Sequence, residues 1–62
     1  MTVKIDDVVC ENETDKAILV SIECEDFWVP KSQIDDDSEV YKKGTEGTLV
    51  VSDWWAKQNG FE

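Results

Sequence analysis

The feature that most restricts this chain is a two-residue alternation of apolar side chains, broken at short intervals by residues that turn the backbone. Val3, Ile5, Val8 and Cys10 stand among Lys4, Asp6, Asp7 and Glu11, and alternate residues of a strand share one face. The odd step at Asp6–Asp7 predicts a bulge. Asn12, Glu13, Thr14 and Asp15 are turn residues, and Ala17 to Ile22 follows as a second strand, so the two form a hairpin. Ala17 and Leu19 point one way while Ile18, Val20 and Ile22 point the other, which reads as a strand inside the sheet rather than at its edge. Phe27-Trp28-Val29 resumes the pattern after Glu23 to Asp26. Pro30 closes the third strand because it cannot donate to a ladder.

Beyond Pro30 the pattern changes. Ser32 is placed to cap a short turn of helix, with Asp35 three residues on, and Asp35 to Glu39 reads as a solvated loop anchored at its far end by Val40-Tyr41. Gly44 and Gly47 bracket a turn before a fourth strand at Thr48 to Val51. Ser52 occupies an N-cap position, Asp53 suits the first turn of a helix, and Gly60 follows as its stop. The fold expected is α+β: a small, mainly antiparallel sheet of three or four strands, a short helical turn and one C-terminal helix. Ile5, Val8, Ile18, Val20, Ile22, Trp28, Ile34, Leu49 and Val51 should form its core.

A chain of 62 residues has room for one domain, 1–62, and buries only about 60% of its unfolded surface, so large apolar groups left outside are informative. Fifteen acidic residues oppose six Lys, without Arg or His, for a formal charge of −9. With 40% hydrophobic residues and three Trp the chain still has enough apolar material to fold. Its acidic field repels nucleic acid and anionic membrane and attracts basic protein surfaces. Cys10 and Cys24 are too few for a disulfide framework and are expected as free thiols packed like small apolar residues. The lack of a leader-like or membrane-spanning run, with that cysteine usage, predicts a reducing cytoplasm, and a monomer is favoured.

Catalysis is not expected. There is no His, no nucleophile beside an activating base, and the carboxylates lie on turns and outward positions where burial cannot raise them. Cofactors are expected to be none, and so are metals: the cysteines lack zinc spacing, and Asp35, Asp36, Asp37 and Glu39 lack the EF-hand pattern. Trp54 or Trp55 could stack on bases, but a chain of this charge has no cationic contacts to hold a phosphate backbone. Neighbours on a helix point about 100° apart, so one of Trp54 and Trp55 is buried while the other lies at the edge.

The acidic spacing has functional shape. Glu11, Glu13 and Asp15 alternate, as do Glu23 and Glu25, and alternate strand residues lie roughly 6.6 Å apart on one face. Nucleic acid carries a charge about every 3.4 Å along each strand, so such a row is a sparser imitation of phosphates. The candidate acidic face comprises Glu11, Glu13, Asp15, Glu23, Glu25, Asp26, Asp35, Asp36, Asp37 and Glu39. The candidate aromatic edge comprises Trp28, Trp54 and Trp55. Acidity that serves solubility alone is the plain alternative.

The stretch Glu25-Asp26-Phe27-Trp28-Val29-Pro30-Lys31-Ser32-Gln33-Ile34, followed by Lys43-Gly44-Thr45-Glu46-Gly47-Thr48-Leu49-Val50-Val51-Ser52-Asp53-Trp54-Trp55-Ala56, resembles short acidic proteins encoded by phages and mobile elements. Cys24 departs from that likeness, since Gly is expected in the turn. In character the chain also resembles anti-CRISPR proteins and other nucleic-acid mimics. That resemblance implies an inhibitor that occupies a basic nucleic-acid-binding surface of a host defence complex. The other expectation is an adaptor that binds a phage or host protein through the aromatic edge.

Overall fold

Four strands, a turn of 3-10 helix and a short terminal helix make up residues 1–61, which the structure, a computed structural model, describes. The strands are β1 (Thr2–Glu13), β2 (Ala17–Ile22), β3 (Glu25–Pro30) and β4 (Glu46–Ser52), and the helix is α1 (Asp53–Gln58). All pairings are antiparallel, in the order β3-β2-β1-β4, which is the α+β fold expected. β2 is an interior strand, as its two apolar faces suggested.

β1 serves two neighbours in succession. Its first half lies against β4, from Thr2 opposite Ser52 to Val9 opposite Glu46, and its second half against β2, from Val9 opposite Ser21 to Glu13 opposite Ile18. The expected bulge is present: the register slips between Ile5 and Val8, and Asp7 adopts φ 59°. A second slip falls between Cys10 and Asn12. The β2–β3 connection is a two-residue turn with Glu23 at φ 51° and Cys24 at φ 70°. Positive φ at both central residues is the type I′ geometry that matches strand twist and normally selects Asn and Gly.

Val8, Cys10, Ile18, Val20, Ile22, Val29, Val40, Leu49, Val51, Trp55 and Ala56 form the core. Ser52 caps α1 by accepting the Trp55 N–H at 3.3 Å, and Trp55 enters the core against Phe27 and Phe61. Its indole N–H donates to the Trp28 carbonyl at 3.3 Å, occupying the outer edge of β3. Several expectations need correction. Trp28 is 52% exposed rather than in the core, because it alternates with Phe27 and Val29, which face inward. Ile5 and Ile34 are only partly buried, at the margin of the core. Tyr41 is exposed and only Val40 anchors its segment. Ser32 lies within the 3-10 turn (Lys31–Gln33) and caps nothing, its N-cap being Pro30. Cys24 is an exposed thiol, while Cys10 is buried, and burial pushes the Cys10 thiol above its ordinary pKa.

The Asp35–Glu39 stretch is more than a solvated loop, because it covers the outer edge of β4. The Asp35 N–H donates to the Val50 carbonyl and the Glu39 N–H to the Thr48 carbonyl. Ser38, 7% exposed, accepts the Val50 N–H at 3.1 Å through its hydroxyl, which also donates to the Val40 carbonyl at 2.7 Å. The Glu39 carboxylate accepts the Thr48 N–H at 3.0 Å. Glycine is required at position 47 by its φ of +129°, and a Cβ there would also push aside the Glu39 carboxylate, 2.7 Å away. Both outer edges of the sheet are thus capped along part of their length by side chains or loop backbone.

Candidate interaction surface

One face of the sheet carries the core; the other is largely open on β1, β2 and β3, whereas on β4 Val50 is buried there. Cross-strand partners share a face, so the register fixes which side chains meet there. One row runs across all four strands: Glu46, Val9, Ser21 and Asp26. The next row is Asn12, Leu19 and Trp28, and Ala17 opposite Pro30 follows. Val9 is 41% exposed and Trp28 52%, while Leu19 is half-buried between its neighbours. The result is an apolar patch on β1, β2 and β3, bordered by carboxylates.

The proposed acidic row does not survive the second bulge. By adding a residue between Cys10 and Asn12, the slip separates Glu11 from Glu13, which then meet opposite electrostatic surroundings. The nearby Asp26 carboxylate on β3, a second acid, holds the Glu11 carboxyl above the usual carboxylate range. Glu13 instead reaches the Lys31 ammonium at 2.8 Å and the Lys43 backbone N–H at 3.4 Å. Those two hydrogen bonds, chiefly that of Lys31, hold its carboxyl below the usual range, with Lys42 adding attraction.

The lysines are therefore unevenly placed. The charges of Lys31 and Lys42 stand near Glu13, Lys43 meets it through its backbone N–H, and the Lys16 backbone carbonyl accepts the Lys31 N–H at 2.8 Å. Lys31–Glu13 is the one side-chain ion pair among the described residues. Lys4 lies opposite Val50 on β1, and Lys57 in the last turn of α1. Asp15 is exposed in the β1–β2 turn and Glu23 and Glu25 at the β2–β3 turn. Asp35, Asp36, Asp37 and Glu39 lie apart from these, along the β4 edge. Asp35 and Glu39 are engaged in local hydrogen bonds there, and Asp36 and Asp37 are exposed.

The aromatic residues divide likewise. Trp55 is buried at 3% exposure and Trp54 lies on the outer side of α1 at 58%. Trp28 stands on the open sheet face. Val9, Leu19 and Glu46 were missed as candidates; the signal for the first two was the alternation itself, which places them opposite Val8, Ile18 and Val20. A groove of about 330 Å³ lined by Lys31, Ile34, Asp35, Asp36, Ser38 and Tyr41 opens beside the 3-10 turn. No group of three or more His, Cys, Asp or Glu among the described residues could hold a metal ion, and no helix there is long and apolar enough to cross a membrane. Comparison with protein families, with curated proteins and with solved structures finds no match to this chain.

Proposed function

We propose that this chain is a non-catalytic inhibitor that occupies a basic protein surface in place of nucleic acid, in the manner of the phage-encoded anti-CRISPR proteins it resembles in character. The observation that supports it is the segregation of charge. With the charges of Lys31 and Lys42 drawn to Glu13, the exposed carboxylates of Glu11, Glu23, Glu25 and Asp26 have no lysine ion pair among the described residues. Uncompensated charge of one sign steers a protein toward a surface of the other.

The exposure of Trp28 favours a second reading, an adaptor whose affinity rests on an aromatic anchor, since Trp is enriched at interface hot spots. Competition against labelled DNA for a basic CRISPR effector complex separates the two. Charge reversal of Glu11, Glu23, Glu25 and Asp26 to Lys should abolish inhibition while the fold persists, and inhibition should weaken steeply with salt. Glu13 is left unchanged because Lys31 already neutralises it. A folded quadruple variant that inhibits at full strength would exclude the acidic inhibitor.

A further inference from the structure

The inhibitor reading leaves open which chemical group of a basic partner the protein takes, and the open sheet face answers that in physical terms. We propose that this face, centred on Trp28 and Leu19, docks an arginine-bearing segment of the partner, with the guanidinium lying over the Trp28 ring. The inference rests on the proposed function, because it assumes a basic protein partner.

The argument begins with what the face lacks. Trp28 presents half its surface to solvent beside Leu19, Ala17, Pro30 and Val9, with Asn12 and Ser21 as the uncharged polar members of the same rows. Patches of this kind on a small domain mark binding sites. Among the described residues the one cation over an aromatic ring is Lys42 on Tyr41, at 5.5 Å, so the Trp28 face has no internal cation. Beside it, Asp26 lies two residues from Trp28 on the same face of β3 and is exposed, as is Glu11 on β1, and carboxylates so placed favour a positive group from outside.

Charge complementarity then selects the occupant. A second copy placed face to face would set Glu11, Asp26 and Glu46 against themselves, and each chain carries −9, so self-association is opposed. Nucleic acid is repelled for the same reason. A lysine would satisfy the carboxylates but is strongly hydrated and lacks a flat face. Arginine is more weakly hydrated, stacks on indole through its plane and presents a fork to carboxylates, so it matches both halves of the surface.

The test is calorimetric titration of the protein with an arginine-rich peptide and a lysine-rich peptide of equal length and charge. The arginine peptide should bind about tenfold more tightly. Trp28→Ala should lower its affinity by about tenfold to thirtyfold, as loss of an anchor does, and remove the preference over lysine. Leu19→Lys should weaken both peptides, and Trp54→Ala should change neither. Circular dichroism of each variant confirms that the fold is retained, and backbone amide shifts on β1, β2 and β3 locate the peptide independently of any substitution. Equal affinities unaffected by Trp28→Ala, or shifts confined to another surface, would overturn the arginine site while leaving the acidic inhibitor standing. Absence of binding by both peptides at low salt would overturn both.

Discussion

The two faces of the β2–β3 hairpin are built from neighbouring residues and have opposite fates. Ile18, Val20, Ile22 and Val29 point into the core and are almost wholly buried, whereas Ala17, Leu19, Ser21 and Trp28, their neighbours in sequence, point out. Hydrophobicity does not distinguish the sets, since Trp28 and Leu19 are as apolar as their neighbours. The parity of the strand decides instead. A small sheet with cover on one side leaves whatever it carries on the other for solvent or for a partner.

The sharpest way to break this comparison is to truncate adjacent residues. Ile18→Ala removes a fully buried side chain and should cost about 2–5 kcal/mol, a large share of the stability of any small domain. Leu19→Ala should cost less than about 1 kcal/mol. Urea unfolding of both variants measures the contrast, and equal losses would mean that the open face is covered. The next largest effect tests the edge between the faces. Ser38→Ala leaves the buried Val50 N–H without its acceptor, at an expected cost of about 1–3 kcal/mol, read from the same urea midpoint.

A fourth substitution acts in the turn that joins β2 to β3. Cys24 holds φ 70° with a side chain, so Cys24→Gly should raise stability by about 1 kcal/mol, the left-handed conformation being disfavoured for residues with a Cβ. A lower melting temperature would show that the exposed thiol has a structural part. The smallest effects concern Glu11 and Glu13 and appear only as pH dependence. Glu13 is depressed in the folded state, so its stabilisation is complete above its unfolded pKa, about 4.3, and is lost as pH falls through the folded value. Glu13→Gln should therefore lower the melting temperature at neutral pH and make no difference in strong acid. Glu11 is raised, so its ionised form burdens the fold, a burden relieved as pH falls. Glu11→Gln should raise the neutral melting temperature slightly, again with no difference in acid. Identical pH profiles for the two variants would contradict the opposed surroundings described here.

Much of the fold was legible in the sequence, for reasons visible in particular residues. Alternation exposed the strands, the paired Asp6–Asp7 exposed the first bulge, and Ser52 with Asp53 and Gly60 marked both ends of α1. The second bulge was hidden because Glu11 and Asn12 are polar on either register, so nothing in their types shows that one is extra. Trp28 was misplaced because its hydrophobicity outweighed its parity between Phe27 and Val29. The cover over β4 depends on side chains bonding to backbone, at Ser38 and Glu39, which composition does not disclose. The lysine end was equally hidden, since Glu13, Lys31 and Lys43 meet only once the chain has folded. These last features are the ones that shape the candidate surface, which is why the acidic row read from spacing differs from the charge distribution of the folded protein.

The pairing of Thr2 with Ser52 has a consequence for synthesis. The first half of β1 leaves the ribosome early and finds its partner only in the last strand made, so the hairpin of β2 and β3 can assemble while Val3 and Ile5 still lack β4. Such long-range closure is slow compared with local pairing, and a nascent chain holding those apolar residues open is exposed to wrong partners in the interval. The carboxylates of Asp6 and Asp7, set beside that waiting segment, keep the unfinished strand charged until β4 arrives.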